Sequence, residues 1–366
     1  MRNTILQFLL LGGAFFLSPT QAIIIQDETA HASYYNVTAS EFNGIARLML
    51  SGNSSCTAFA INAFQVLTAA HCIPTANTSL AALTLDGVQF SLYSEEVFVP
   101  SSVFVSPDWV ENDFGGGNDI AVLYFANGLP EVNHYPLLPS ALAGTELGSD
   151  FELFGYGRCG TPTGGFGGAL GACDTPGLHR AANRYDSIAP NDKVLEYSFD
   201  SYSPNTILVG GANCRENDAL CILNQTEFSS KADEPTIGTR QGIATPGDSG
   251  GPSLILYEGR YYSVGIHSFI ACLSLGGGDP CLSPPDWDAS FGPNGTFGEF
   301  AGDTRVGSHT DFISGSVPEP SSFVLASAAL FLIWRKRLVQ RKSSVLRSRG
   351  LAGAQDGESA QTDRQT

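Results

Sequence analysis

Gly247-Asp248-Ser249-Gly250-Gly251-Pro252 places one hydroxyl among small residues. Glycine lets backbone N–H groups approach a ligand where a side chain would block them. A nucleophilic serine needs that setting, because its attack on a carbonyl creates an oxyanion that preorganised donors must meet. A surface loop can carry the same hexapeptide, so its meaning depends on what accompanies it. Two other stretches do accompany it. Leu67-Thr68-Ala69-Ala70-His71-Cys72 sets a histidine among small residues, and Asn118-Asp119-Ile120-Ala121-Val122-Leu123 sets an aspartate at the head of an apolar run. A serine hydroxyl is too weak an acid to attack at neutral pH unaided, so a base must take its proton. Imidazole titrates near the working pH and suits that task.

The chain order His71, Asp119, Ser249, with the motifs AAHC, NDIAVL and GDSGGP, resembles the trypsin/chymotrypsin family of serine proteases. The resemblance spans roughly residues 40–313. It implies Ser249 as nucleophile, His71 as general base and Asp119 as the group that orients the imidazole. The backbone N–H groups of Gly247 and Ser249 would form the oxyanion hole. Asp113 is a nearby alternative to Asp119, but only Asp119 heads an apolar run in the family's pattern. His31, His134, His179, His267 and His309 have no such context; His267 is expected to pack beside the cleft.

Short runs with aliphatic, aromatic or alternating character predict strands over 44–51, 57–63, 88–93, 120–125, 151–155, 194–199, 253–257 and 261–269. Gly-, Pro- and Asn-rich breaks separate them, and no long helical period intervenes. This is an all-β pattern, sandwich or barrel. The family resemblance implies two six-stranded antiparallel β-barrels with the active site between them, as lobes of about 23–143 and 144–316. Gly160–Gly171 and Tyr202–Glu234 read as loop insertions.

Eight cysteines suggest an oxidising compartment. The family resemblance implies a bridge from Cys56 to Cys72 beside the histidine. Cys159 with Cys173, Cys214 with Cys221, and Cys272 with Cys281 are sequential neighbours that would close short loops, though sequence leaves other pairings open. No tight Cys-x-x-Cys or His-x-x-x-His spacing points to a metal, and no cofactor is expected. Residues 23–320 carry 33 acids against 10 bases, a balance of −23. That excess argues against nucleic-acid binding, which needs a basic face.

In the family, the specificity pocket has its floor six residues before the nucleophile, here Ile243. Trypsin-like enzymes carry an aspartate there, so Lys and Arg would find no counter-charge in this chain. Ser268 and Phe269 match the pair on the strand along which substrate lies, and Ile270 replaces the glycine that follows in the family. A narrowed pocket of this kind implies small or medium apolar residues before the scissile bond. Thr245 replaces a family cysteine, so the usual pocket disulfide is expected to be absent.

Arg2, the apolar stretch Ile5–Leu17 and Thr20-Gln21-Ala22 read as a secretory signal over residues 1–22. Cleavage there would expose Ile23, whose amine would pair with Asp248 as the family's new amino terminus does, without a basic activation site. At the other end, Val317-Pro318-Glu319-Pro320 precedes an apolar run Phe323–Trp334 and the cluster Arg335-Lys336-Arg337. This order resembles the PEP-CTERM sorting signal of Gram-negative bacteria. It implies a sorting segment over 317–337 with a transmembrane helix at 323–334, an exosortase-type sorting enzyme as partner, and transient anchoring in the inner membrane. Residues 338–366 would form a basic, disordered cytoplasmic tail. The reading is therefore an exported, monomeric serine endopeptidase acting on protein or peptide substrates. The rivals are a non-catalytic binding protein on the same scaffold and a structural surface-matrix protein.

Overall fold

The computed structural model describes residues 23–26, 32–37, 41–50, 55–73, 88–92, 96–158, 160–162, 164–166, 177–199, 237–272, 293–296, 298–317 and 334. Residues up to Ser316 form one compact unit, and Val317–Thr366 form a second. Of the second unit only Val317 and Trp334 are described.

Two antiparallel sheets make up the first unit. Strands β2 (Ile45–Leu50), β3 (Ser55–Ala60), β4 (Gln65–Thr68), β5 (Val88–Ser91), β6 (Val97–Phe98), β7 (Ser102–Val105) and β8 (Ala121–Tyr124) form one, in the order β6-β5-β2-β3-β4-β8-β7. Strands β9 (Asp150–Gly155), β10 (His179–Arg184), β11 (Ser187–Ile188), β12 (Val194–Ser198), β14 (Pro252–Tyr257), β15 (Arg260–Cys272) and β16 (Glu299–Arg305) form the other, in the order β10-β9-β14-β15-β16-β12-β11. A separate ribbon joins β1 (Ile24–Ile25) to β13 (Gly242–Ile243). The all-β expectation holds, and the two large antiparallel sheets fit a chymotrypsin-like two-barrel fold. The expected six strands per barrel become seven per sheet, because the two-residue segments β6 and β11 add a rung at the edge of each.

The first sheet closes over Leu48, Phe59, Val66, Leu67, Phe90, Val122 and Leu123, all buried. The second packs Phe151, Leu153, Tyr185, Leu195, Tyr197 and Val264 around Ile23, Ile24 and Ile243. Phe154, Leu254 and Ile266 of the second sheet belong to the first cluster, so one apolar mass fixes both sheets behind the cleft. Burying such side chains contributes roughly 1.5–3 kcal/mol each. The chain leaves the second sheet through a short helix, Thr310–Gly315. Gln65 donates to Ile313 O at 2.8 Å and ties that helix back to β4.

Among the described residues no helix is long and apolar enough to cross a membrane. The signal at 1–22, most of the expected helix at 323–334 and the tail beyond lie outside the described residues, as do the insertion at 202–234 and much of 160–171.

Candidate active site

His71 sits in a 3-10 turn, Ala70–Cys72, at the end of β4. Ala69 and Ala70 are fully buried, and larger side chains there would push the turn off the sheet. A disulfide from Cys56 in β3 to Cys72 pins the turn, as expected. Asp119 lies two residues before the start of β8. The pairing of β4 with β8 sets Thr68 opposite Ala121, which brings His71 and Asp119 together although they lie 48 residues apart.

His71 Nδ1 lies 2.7 Å from Asp119 Oδ2, and the His71 backbone N–H donates to Asp119 Oδ1 at 2.9 Å. Ser268 Oγ donates to Oδ2 at 2.6 Å. Asp119 is fully buried, and these donors replace the water it has lost. Facing a carboxylate, Nδ1 keeps the proton and Nε2 is left as the acceptor. Asp113 does other work: its side chain accepts from Gly116 N–H and caps a 3-10 turn.

Ser268 reaches Asp119 because of a bulge. In the pairing of β15 with β16, His267 opposes Asp303 and Phe269 opposes Gly302, leaving Ser268 as the extra residue. Bulges re-aim side chains in this way. Gly302 allows it, since a Cβ there would come within 2.3 Å of the Phe269 ring.

Ser249 lies in the turn between β13 and β14. Its carbonyl accepts from Thr57 N–H at 2.8 Å and lies 3.6 Å from Cys72 Sγ, so the serine stands against the disulfide that holds His71. Gly247 has φ +103° and Gly250 φ +83°, a region open to glycine and rare for other residues. Among the described residues, the N–H groups of Gly247 and Ser249 have no hydrogen-bond partner. No hydrogen bond joins His71 Nε2 to Ser249 Oγ; contacts of this kind commonly tighten when substrate enters.

A cavity of about 200 Å³ opens beside Ser249. Ser268, Phe269 and Ile270 line it with Ala244, Thr245 and Pro246. Ile243 is not among the lining residues; it is fully buried and pairs through its backbone with Ile24. His267, read from its place next to the substrate strand as packing beside the cleft, lines the cavity, and so does Phe114, which nothing in the motifs singles out. Phe114 meets the His71 ring edge-on at 5.5 Å and lies 6.2 Å from Phe269. Only a tertiary contact across the cleft reveals it.

Asp248 is fully buried, and burial pushes its carboxyl up. Hydrogen bonds from Thr245 and Gly157, with His267 nearby, pull the other way. Ile23 N donates to Asp248 Oδ2 at 3.0 Å. Thr245, standing where the family has a cysteine, sets its hydroxyl 2.9 Å from the same oxygen. Cys272 is also disulfide-bonded, while Cys159, Cys173, Cys214, Cys221 and Cys281 lie outside the described residues.

Residues 33–188 match the family model described as Trypsin. That stretch holds His71 and Asp119 and ends before Ser249. The chain is 26% identical over 228 residues to chymotrypsin-like elastase family member 1 of Bos taurus, covering 61% of this chain and 72% of that protein. These likenesses and the two-sheet architecture together support a trypsin/chymotrypsin-like serine protease.

Proposed function

We propose that the protein is an exported serine endopeptidase in which Ser249, His71 and Asp119 act as a catalytic triad. The observation that carries this is the buried Asp119 holding His71 through Nδ1 at 2.7 Å, beside a serine flanked by two unpartnered N–H groups. Ser249 Oγ attacks the peptide carbonyl while its proton passes to His71 Nε2. Negative charge then develops on the carbonyl oxygen, and the N–H groups of Gly247 and Ser249 meet it. His71 returns the proton to the leaving amine as the C–N bond breaks, and Asp119 stabilises the transient imidazolium. Water repeats the sequence on the acyl-enzyme and releases Ser249.

The aliphatic and proline side chains around the cavity favour a small or medium apolar residue before the scissile bond. Among the described residues no carboxylate lines it, so Lys and Arg have no partner there. The amino terminus belongs to the same proposal. Ile23 is held at φ +58°, a conformation scarcely open to a β-branched residue inside a chain. Removal of residues 1–22 would abolish that restraint and convert an amide donor to Asp248 into an ammonium. Export by the leader and sorting by the exosortase-type signal at 317–337 complete the reading. A non-catalytic role on this scaffold is not favoured, because it would not need the bare N–H pair beside Ser249.

The test is labelling by a fluorophosphonate probe together with casein hydrolysis. The wild-type protein should label and cleave. Ser249→Ala and His71→Ala should each lose on the order of 10⁶-fold in turnover without loss of fold. If Ser249→Ala retains more than about 1% of the activity, the nucleophile is misassigned.

A further inference from the structure

Thr57 on β3 is fully buried and grips the nucleophile turn twice. Its N–H donates to Ser249 O at 2.8 Å, and its Oγ1 donates to Gly247 O at 3.0 Å. These are the two residues whose own N–H groups are proposed to meet the oxyanion. The direction of the hydroxyl bond is fixed. Tyr156 N–H, which can only donate, meets the same Oγ1 at 3.0 Å, so the hydroxyl spends its proton on Gly247 O. The Thr57 carbonyl in turn accepts from Thr68 Oγ1 at 2.9 Å, on the strand that leads to His71. Gly247 needs such a grip. At φ +103° it turns about its torsions at little steric cost. Each peptide unit is planar, so holding its ends fixes its orientation. The unit before Gly247 is held at Pro246 O, which accepts from Arg158 N–H at 3.0 Å. The unit after it is held at both ends: Asp248 N–H donates to Thr245 O at 2.9 Å, and Gly247 O takes the Thr57 hydroxyl. The packing leaves no slack, since a Cβ on Gly247 would come within 2.7 Å of Gly157 Cα, and one on Gly250 within 2.3 Å of Thr57 O.

We propose that Thr57 is a positioning residue for the oxyanion hole: its hydroxyl holds the peptide after Gly247 so that the Gly247 N–H stays aimed at the carbonyl oxygen under attack. The proposal rests on the serine-protease reading and deepens it. Thr57 acts through Gly247 and touches no reacting atom. Without the hydroxyl, Gly247 O and Tyr156 N–H lose the partner they share inside the protein. A buried carbonyl left unpaired is costly, and turning its peptide toward another donor relieves that cost. The torsions of Gly247 share such a turn, and its N–H leaves the oxyanion position. That donor matters once charge has developed on the carbonyl oxygen, so its loss falls on turnover rather than on substrate binding. Thr57 also follows Cys56 and is bonded from Thr68, so the same residue refers the hole to the strand and disulfide that place His71.

The experiment compares the full-length protein with Thr57→Val, which keeps the shape and deletes the hydroxyl, and Thr57→Ser, which keeps the hydroxyl. For each, kcat and KM are measured on one peptide with Leu before the scissile bond, per folded molecule by near-UV circular dichroism. The peptide aldehyde ending at that Leu, which forms a tetrahedral adduct with an active serine, is titrated beside the corresponding alcohol, which forms none. Thr57→Val should lose between about tenfold and about 10³-fold in kcat, with KM within about threefold of wild type. Its affinity for the aldehyde should fall by a similar factor while the alcohol binds as before. Thr57→Ser should stay within about threefold of wild type in every reading. A role confined to folding would lower the folded fraction and leave these ratios unmoved. Should Thr57→Val not fold, Thr57→Ala is read in its place by the same criteria; if neither folds, Thr57 serves folding and the inference is overturned. An unchanged kcat, a rise in KM alone, equal loss of aldehyde and alcohol binding, or a Thr57→Ser as impaired as Thr57→Val also overturns it and leaves the protease reading standing. Failure of the wild-type protein to cleave any peptide, with no fluorophosphonate labelling, overturns the protease reading and this inference with it.

Discussion

Asp119 is the most constrained of the candidate site residues. It is fully buried, it accepts from His71 twice and from Ser268 once, and Thr304 Oγ1 holds its carbonyl at 3.1 Å. Replacing it by Asn keeps the shape but offers Nδ1 of His71 a donor instead of an acceptor. The imidazole would then take the wrong tautomer, with the proton on Nε2. Asp119→Asn should therefore lose roughly 10⁴-fold in kcat while thermal unfolding stays close to wild type. A loss under tenfold would mean that another group orients His71. The motifs make His71, Asp119 and Ser249 legible because each arrives in its own run of small or apolar neighbours. His267 and Asp303 arrive in none. They are 36 positions apart, and only the register of two strands makes them a pair.

Among the elements, the turn Ala70–Cys72 depends most on a covalent tie. Cys56 in β3 and Cys72 in this turn lie 16 residues apart, and the bridge closes the loop between them. A loop of that size removes about 3 kcal/mol of chain entropy from the unfolded state. Cys56→Ser combined with Cys72→Ser should lower stability by about that amount in denaturant titration, and activity should fall more steeply than the folded fraction, because the bridge also sets His71 against Ser249. Equal loss of stability and activity would show that the bridge only stabilises. The elements were unevenly legible. Strand β8 is a plain apolar run and reads as a strand at sight. Strand β16, Glu-Phe-Ala-Gly-Asp-Thr-Arg, is buried throughout, yet it carries Glu299, Asp303, Thr304 and Arg305. Asp303, Thr304 and Arg305 find partners far away in the chain, such as Glu146 for Arg305, and Glu299 accepts from the N–H groups of Asn294 and Gly295 just before the strand, so no local period announces it. The 13 residues of β15 exceed the expected 261–269 because its far end continues the pairing with β16 as far as Cys272.

At the scale of the whole molecule, the first described strand closes the structure. Ile24 pairs with Ile243, and Ile23 N reaches Asp248, 225 residues away and next to Ser249. If Ile23 supplies the working amine, one alanine inserted before it should leave the protein folded and depress kcat/KM at least tenfold, because the amine would then lie about one residue beyond the position that meets the buried carboxylate. Unchanged activity after the insertion, with the altered amino terminus verified by mass, would assign Asp248 to its Thr245 and Gly157 donors alone. The same topology governs when the site comes into being. Domains emerge from synthesis amino terminus first, and contacts distant in sequence are slow to form. His71 and Asp119 are present early, but Ser249 arrives with the second sheet, and the strand bearing Asp303 and Thr304 follows it. On the proposed triad, a half-made chain carries a base and an orienting acid with nothing to activate. Connectivity alone would then shield the maker of such a protein during translation, because the cutting edge is among the last parts to be delivered.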